Sequence, residues 1–374
     1  MDFTFNGDLK DVSELAERIF ADLGDISRVR EAENAGGFDA TLWRTLGESD
    51  LIGLTLPADV GGAGLGMLGL VAVLEQQGRR VAPVPLWSVV TQAALPIAEF
   101  GSAAQKDRWL PRVLDGTAVV AGSFDLDLAG NPTLTGVADV DDQVVSGELV
   151  AVPGGPVAEA YVAPVTTPSG VRIAVVPSDR PGLTVTPLAT TDRQSSATVA
   201  FDAVRLGTGD FLPADGDLVV DRVRTRGRIA LAALATGVCQ EAVTITAAYT
   251  SQRVQFGRPL STNQAVALRA ADAHLDAERV RLTTYKAAWH ADRGEQDDAR
   301  AASLVAKWWA ATGGLRAVNA TQHLHGGIGA DVDYPIHRYF LWGRQIAHTL
   351  GSAGAVEAEL GDLLGRVNPI GAPA

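Results

Sequence analysis

Cysteine is nearly absent from this 374-residue chain, in which Cys239 stands alone. One thiol excludes an internal disulfide framework and fits a reducing compartment, so a cytoplasmic location is expected. Inside a helical stretch, Cys239 reads as core packing. No Cys/His cluster lies at metal-ligand spacing, so no metal site is expected. An excess of positive charge is missing too: 31 Lys and Arg face 44 Asp and Glu, a net charge of −13. That excludes the broad basic footprint of a nucleic-acid binder, while leaving room for a phosphate-bearing ligand held by a few arginines. No apolar run reaches the length of a membrane span. The first residues, MDFTFNGDLKDVSELAERIF, lack the basic and apolar regions of a secretion signal. No G-x-G-x-x-G follows a strand pattern, and there is no internal repeat or low-complexity tract. What remains is a chain with 47% hydrophobic residues and a mean hydropathy of +0.11. It is globular, and long enough for two or three domains around a large core.

Three textures follow one another. Residues 1–118 are helical, with apolar spacing over 11–23, 38–46, 65–77, 92–100 and 103–114. A turn-rich loop at 57–64 interrupts them. Residues 119–213 carry short β-rich runs at 117–124, 144–152, 160–165, 171–176, 183–187 and 196–201, separated by Gly, Pro, Asp and Asn. That spacing predicts a sandwich or barrel. Residues 214–374 are helical again, over 219–248, 263–293 and 298–323, which predicts an antiparallel bundle. Gly237, inside the first of these helices, reads either as a close helix contact or as tolerated noise. A last helix is expected after Tyr334-Pro335, and 367–374 is expected to fray. The α+β order, helices then strands then helices, differs from the alternation of a dinucleotide-binding fold.

Two stretches hold residues suited to a phosphate and a ring. In Arg253-Val254-Gln255-Phe256-Gly257-Arg258, arginines offer planar two-donor forks and Phe256 offers an aromatic face. Taken alone, the stretch reads as a surface loop with solvated arginines. Gln264 opens the next helix with both a donor and an acceptor. In His323-Leu324-His325-Gly326-Gly327-Ile328-Gly329, three glycines in five positions let a backbone approach another molecule closely. A helix end with its cap gives the same letters. His323 is either a phosphate donor or a helix-end histidine bonded to carbonyls.

Together these motifs resemble the acyl-CoA dehydrogenase family over essentially the whole length. The resemblance rests on Pro57-x-x-x-Gly61-Gly62-x-Gly64 and Gln105-Lys106-x-x-Trp109-Leu110-Pro111. It continues through Arg253-x-Gln255-Phe256-Gly257-x-Pro259-Leu260 with Gln264, His325-Gly326-Gly327-x-Gly329 and Tyr334-Pro335. Each motif is short, but their order and spacing are specific. The resemblance implies a helical N-terminal domain, a central β-barrel or sandwich and a C-terminal four-helix bundle. It implies FAD and the α,β-desaturation of an acyl-CoA thioester, in which a glutamate takes the α proton and flavin N5 the β hydride.

The chain departs from that pattern where the chemistry should be. The family's Glu-Gly-Thr/Ser motif reads Leu350-Gly351-Ser352 here, and leucine accepts no proton. The alternative base position, before the arginine matching Arg228, holds Gly227. Glu241 and Glu357 are substitutes only by carboxylate chemistry, and a solvated helix face explains both. The flavin-ring segments, matching 122–125 and Ala151-Val152-Pro153, lack their aromatic wall and hydroxyl donor. The set that a subunit lends across a dimer interface is kept: Arg253, Gln255, Phe256, Gln264, His323, Gly326 and Gly327. The resemblance thus points to a non-catalytic subunit that completes the FAD site of a homologous catalytic partner in an α2β2 assembly. Within the family the stretch from His323 to Leu341 is most similar to bacterial paired dehydrogenases acting on sterol side-chain CoA thioesters. Three other readings stand beside it: a homomeric dehydrogenase with a relocated base, a related flavin monooxygenase or oxidase, and a flavin-free structural subunit.

Overall fold

The computed structural model describes residues 3–5, 7–127, 129–139 and 142–366, so the tail expected to fray lies outside the described residues. In chain order the elements begin with α1 (Asp8–Leu23), α2 (Ile26–Asn34), α3 (Ala40–Glu48) and α4 (Gly66–Arg80). Next, α5 (Leu86–Ser88) passes through a π-helical turn into α6 (Leu95–Phe100), and α7 (Ala103–Leu114) follows. The strands are β1 (Val120–Gly122), β2 (Leu134–Asp139), β3 (Asp142–Pro153), β4 (Ala160–Thr167), β5 (Gly170–Pro177), β6 (Leu183–Pro187) and β7 (Ser196–Leu206). The long α8 (Gly216–Gln252) leads to a hairpin, β8 (Val254–Gln255) and β9 (Arg258–Pro259). Last come α9 (Gln264–Asp292), α10 (Gln296–Trp309), α11 (Leu315–His325), α12 (Ile336–His348) and α13 (Ala353–Arg366).

These elements form two compact units, one of Met1–Ile26, Val71–Ala82 and Arg228–Ala374, the other of Ser27–Leu70 and Pro83–Gly227. In the second unit seven strands make one mixed sheet in the order β1-β4-β2-β3-β7-β6, with β5 also on β4. β4 runs parallel to β1 and β2, so this sheet is not a plain antiparallel meander. The stretch Leu-Thr-Gly-Val-Ala-Asp carries no strand signal of its own, yet it forms β2 because it pairs with β3 from Leu134↔Gly147 to Asp139↔Asp142. Helix α2 also went unannounced, being short and polar (Ile-Ser-Arg-Val-Arg-Glu-Ala-Glu-Asn). Helix α7 starts on a capping box: Ser102 Oγ accepts from the Gln105 N–H and Gln105 Oε1 from the Ser102 N–H. The Gln105 amide then donates to the carbonyls of Gly209 and Phe211, fastening that helix to the chain leaving the sheet.

The other unit is organised by a crossing of α4 and α8. A Cβ on Gly237 would stand 2.0 Å from the Glu75 carbonyl oxygen, and one on Gly78 would stand 2.3 Å from that of Leu234. The two backbones touch because neither residue has a side chain, which assigns Gly237 to close contact. Around the crossing, the Arg79 guanidinium reaches Gln240 at 2.6 Å and Glu241 at 3.6 Å, and the Tyr339 hydroxyl donates to the Arg79 carbonyl at 2.7 Å. Cys239 is buried against the Gly314 carbonyl. Helix α8 corrects one expectation: by length and hydropathy it is long and apolar enough to cross a membrane, although 72% of its most apolar window is buried in the protein.

Gly237→Ala should therefore cost about 2–3 kcal/mol through overpacking. Gly361→Ala, on α13 where a Cβ meets nothing within 4 Å, should be neutral or stabilising by up to about 1 kcal/mol. Urea unfolding of both variants checks this, and equal losses would refute the crossing argument.

Candidate cofactor-binding site

All seven residues singled out as cofactor-binding belong to the unit that contains the helical bundle, and all seven are exposed. Helix α8 ends where the Arg253 N–H donates to the Tyr249 carbonyl at 2.8 Å. The chain then reverses in a hairpin that pairs Gln255 with Arg258 and is closed by a 2.9 Å bond from the Leu260 N–H to the Arg253 carbonyl. At its tip Phe256 has φ +55° and Gly257 φ +76°. A bulky residue in the left-handed region is strained, and Phe256 is also 95% exposed. Asn263 caps the start of α9 by accepting from the Ala265 N–H at 3.0 Å, so Gln264 becomes the first helical residue, exposed at the same turn.

The glycine turn joins this hairpin through two aromatic residues. Tyr249, one turn before Arg253, stacks on the His325 ring at 4.4 Å, and its hydroxyl donates to the His325 carbonyl at 3.4 Å. Tyr334 covers the same imidazole at 5.3 Å. His325 is buried, and its Nδ1 lies 2.8 Å from the Thr321 carbonyl, so that nitrogen carries the proton and donates. Burial pushes its pKa below the usual histidine range, which keeps the ring neutral. The ends of α8 and α11 and the start of α9 thus meet at one end of the bundle. Gly326 sits at φ +62°, and a Cβ on it or on Gly327 would meet nothing within 4 Å. Backbone there faces open space, as a cradle for part of a ligand requires. The sequence offered His325 only as a letter of the motif, and Tyr249 not at all. Their role depends on a stack between helices that are far apart in the chain.

The positions matched to the flavin ring present different chemistry. Ser123 is buried, and its N–H donates to the Val162 carbonyl at 3.0 Å. Phe124 is wholly buried, and its carbonyl accepts from Arg224 at 3.0 Å. At Ala151 the strand bulges through φ +55°, and Val152 turns into the core. Neither segment presents an exposed aromatic ring or hydroxyl, so these residues do not fit an isoalloxazine wall.

Of the base candidates, Leu350 is wholly buried in the turn between α12 and α13, with φ +54°. Glu241 pairs with Arg79, and Glu357 accepts from the Trp308 indole N–H at 3.4 Å. Sequence reasoning missed a more unusual acid. Glu75, inside the apolar α4, is buried and accepts from the Tyr285 hydroxyl at 3.1 Å. Burial pushes its pKa up to about 7, against smaller opposing effects of Tyr285, Arg79 and Arg281. The only sequence sign was an acid directly after the apolar run Leu-Val-Ala-Val-Leu, ahead of a polar helix end. A groove of about 730 Å³ between α9 and α11 has buried Asp276 on its wall. That carboxylate is already held by Arg279 at 2.9 Å and Arg316 at 2.8 Å. His290, Glu295 and Asp298 also come together, with the His290 Nδ1 2.7 Å from a Glu295 oxygen.

Comparison with known proteins decides the family. The acyl-CoA dehydrogenase N-terminal domain matches residues 10–117 and the acyl-CoA dehydrogenase C-terminal domain residues 215–355. Acyl-CoA dehydrogenase FadE27 of Mycobacterium tuberculosis is 32% identical over 94% of this chain and 96% of its own length. The chain belongs to the acyl-CoA dehydrogenase family. The fold follows the same pattern. A chain from a variant of the Tcur3481-Tcur3483 steroid ACAD superposes with a TM-score of 0.88 at 43% identity, covering 96% of this chain and 97% of that one. A chain of the ChsE4-ChsE5 complex from Mycobacterium tuberculosis gives 0.93 at 31% identity, covering 98% and 100%. This is the dehydrogenase fold of a helical N-terminal part, a central mixed sheet and a C-terminal helical part.

Glu75 gives a pH test. Its folded pKa of about 7 exceeds the ordinary 4.5, so between those values the native state keeps a proton that the unfolded chain has released. The stability contributed is full below pH 4.5 and falls by about 3 kcal/mol as pH rises to 7, then levels off. Glu75→Gln should flatten the part of the stability profile that this group controls. An unchanged slope in the variant would show that the carboxyl ionises normally.

Proposed function

We propose that this chain is the non-catalytic subunit of a heteromeric, FAD-dependent acyl-CoA dehydrogenase and completes the FAD site of a homologous catalytic partner. The observation that carries this is the display of Phe256. A phenylalanine held in a strained conformation at the tip of a hairpin, almost wholly exposed, is placed for a surface supplied by another molecule. Around it, exposed Arg253 and His323 suit a pyrophosphate. Gln264 suits a polar ring edge, and the Gly326-Gly327 backbone a close approach. The eroded ring-side segments and the buried, apolar Leu350 support the same division of labour.

When bound, FAD supplies the acceptor for the β hydride. This chain's residues bind and orient its phosphate and adenine end, while the base and the acyl-CoA pocket belong to the partner. An α2β2 assembly and a sterol side-chain CoA thioester as substrate are the finer parts of the proposal. They are supported by similarity to chains of the ChsE4-ChsE5 complex and of the Tcur3481-Tcur3483 steroid ACAD. The boundaries 1–118, 119–213 and 214–374 for the helical, β and bundle domains belong to the same proposal. A homomeric enzyme with a relocated base would need a carboxylate within reach of the substrate, whereas Glu75 is buried behind the Tyr285 hydroxyl.

Flavin absorbance tests the reading. The chain purified alone should be colourless, and its complex with a catalytic partner should hold about one FAD per pair. Arg253→Ala with Phe256→Ala should lower FAD in the complex at least roughly tenfold, in line with the loss of one charge-assisted bond and one stack. One FAD per chain without a partner, or desaturation of an acyl-CoA by the chain alone, would overturn it.

A further inference from the structure

We infer that Glu359 occupies the counter-charge place that a carboxylate at position 350 would otherwise fill, so that the two acids exclude one another. This rests on the reading above that Leu350 stands where the family places its base. The local geometry is independent of that reading. Arg228 is 1% exposed and cannot be left there without a negative partner. Its Nε donates to the Leu350 carbonyl at 3.2 Å, and its two terminal nitrogens meet the two Glu359 oxygens at 2.9 and 2.6 Å. The forked face of the guanidinium is thereby committed to one carboxylate. Arg300 stands 3.6 Å from that same carboxylate. Lys307, also wholly buried, donates to the Ala347 carbonyl at 3.1 Å and the Gly351 carbonyl at 2.8 Å. Two buried cations therefore hold the carbonyls of the α12–α13 turn, and α13 brings Glu359 back to neutralise one of them.

A glutamate at position 350 would add a second carboxylate to the residue whose carbonyl the Arg228 guanidinium already holds, while its fork is taken. Leu350 is wholly buried and Glu359 only part-buried, so a carboxylate at 350 that finds the fork taken cannot stay ionised cheaply. Removing Glu359 alone leaves Arg228 buried without its charge. Changing both returns one acid to one arginine. An acid at 350 and an acid at 359 are then alternatives, and Leu350→Glu alone does not restore a usable carboxylate.

Four full-length chains test this by chemical unfolding: the natural protein, Leu350→Glu, Glu359→Gln and the double variant. Both single variants should unfold at lower denaturant, and the double variant above either one. A double variant that shows the summed loss, or a single variant that loses nothing, overturns the coupling. If Glu359→Gln fails to fold, recovery of folded protein on adding Leu350→Glu supports the inference, and no recovery overturns it. The unfolding comparison reads no flavin and no turnover, so failure of the subunit assignment shows only in FAD stoichiometry, while failure of this coupling shows only in stability.

Discussion

The bundle unit depends on a contact with no side chain in it. Where α4 meets α8, Gly78 and Gly237 let two helix backbones come together at van der Waals distance. At that separation Arg79 reaches Gln240 and Glu241, and its carbonyl receives the Tyr339 hydroxyl. Glu75, one turn earlier on α4, is carried into the interior, where the Tyr285 hydroxyl reaches it with a hydrogen bond. Buried polar groups are tolerable only when partnered, so a small shift at the glycines would disturb partners on α8, α9 and α12 together. The close crossing and the polar interior belong to one arrangement.

Charge in this unit follows a related rule. Arg228 and Lys307 are buried at the end of α12, where helix carbonyls lack partners and a cation is favoured by the helix dipole. Two cations in one small volume need an anion, and Glu359 provides it. Leu350 adds apolar filling at a left-handed backbone position. The turn that carries Leu350 is thereby held from both sides by buried cations.

The legible parts of the sequence were those with local causes. Helix α7 was read from its apolar spacing, and its capping residues stand within the same few letters. β6 and the long bundle helices had clear periodicity between breakers. The glycine turn is legible because a reversing chain needs particular residues in a row, whereas 251–260 reads from sequence only as a connector and its hairpin is a finding of the structure. Features settled by distant partners were hidden. β2 exists through its pairing with β3, and α2 is too short and polar to show a stripe. Glu359 meets Arg228 across 131 positions, and His325 is stacked by Tyr249 from 76 positions away. Glu75 carries little local signal, because its partner is Tyr285, 210 residues on.

The Phe256 fingertip has a consequence for the life of the chain outside any assembly. An almost fully exposed aromatic ring, beside Val254 at 54% and with Leu268 at 59% on the next helix, is adhesive in water. On the proposed reading, a copy that has not met its partner subunit carries that adhesive surface into every encounter. Surplus copies are therefore targets for chaperones and proteases, and overproduction without a counterpart favours aggregates. Selection on such a surface acts on dosage as much as on sequence, and balanced synthesis becomes part of the folding problem.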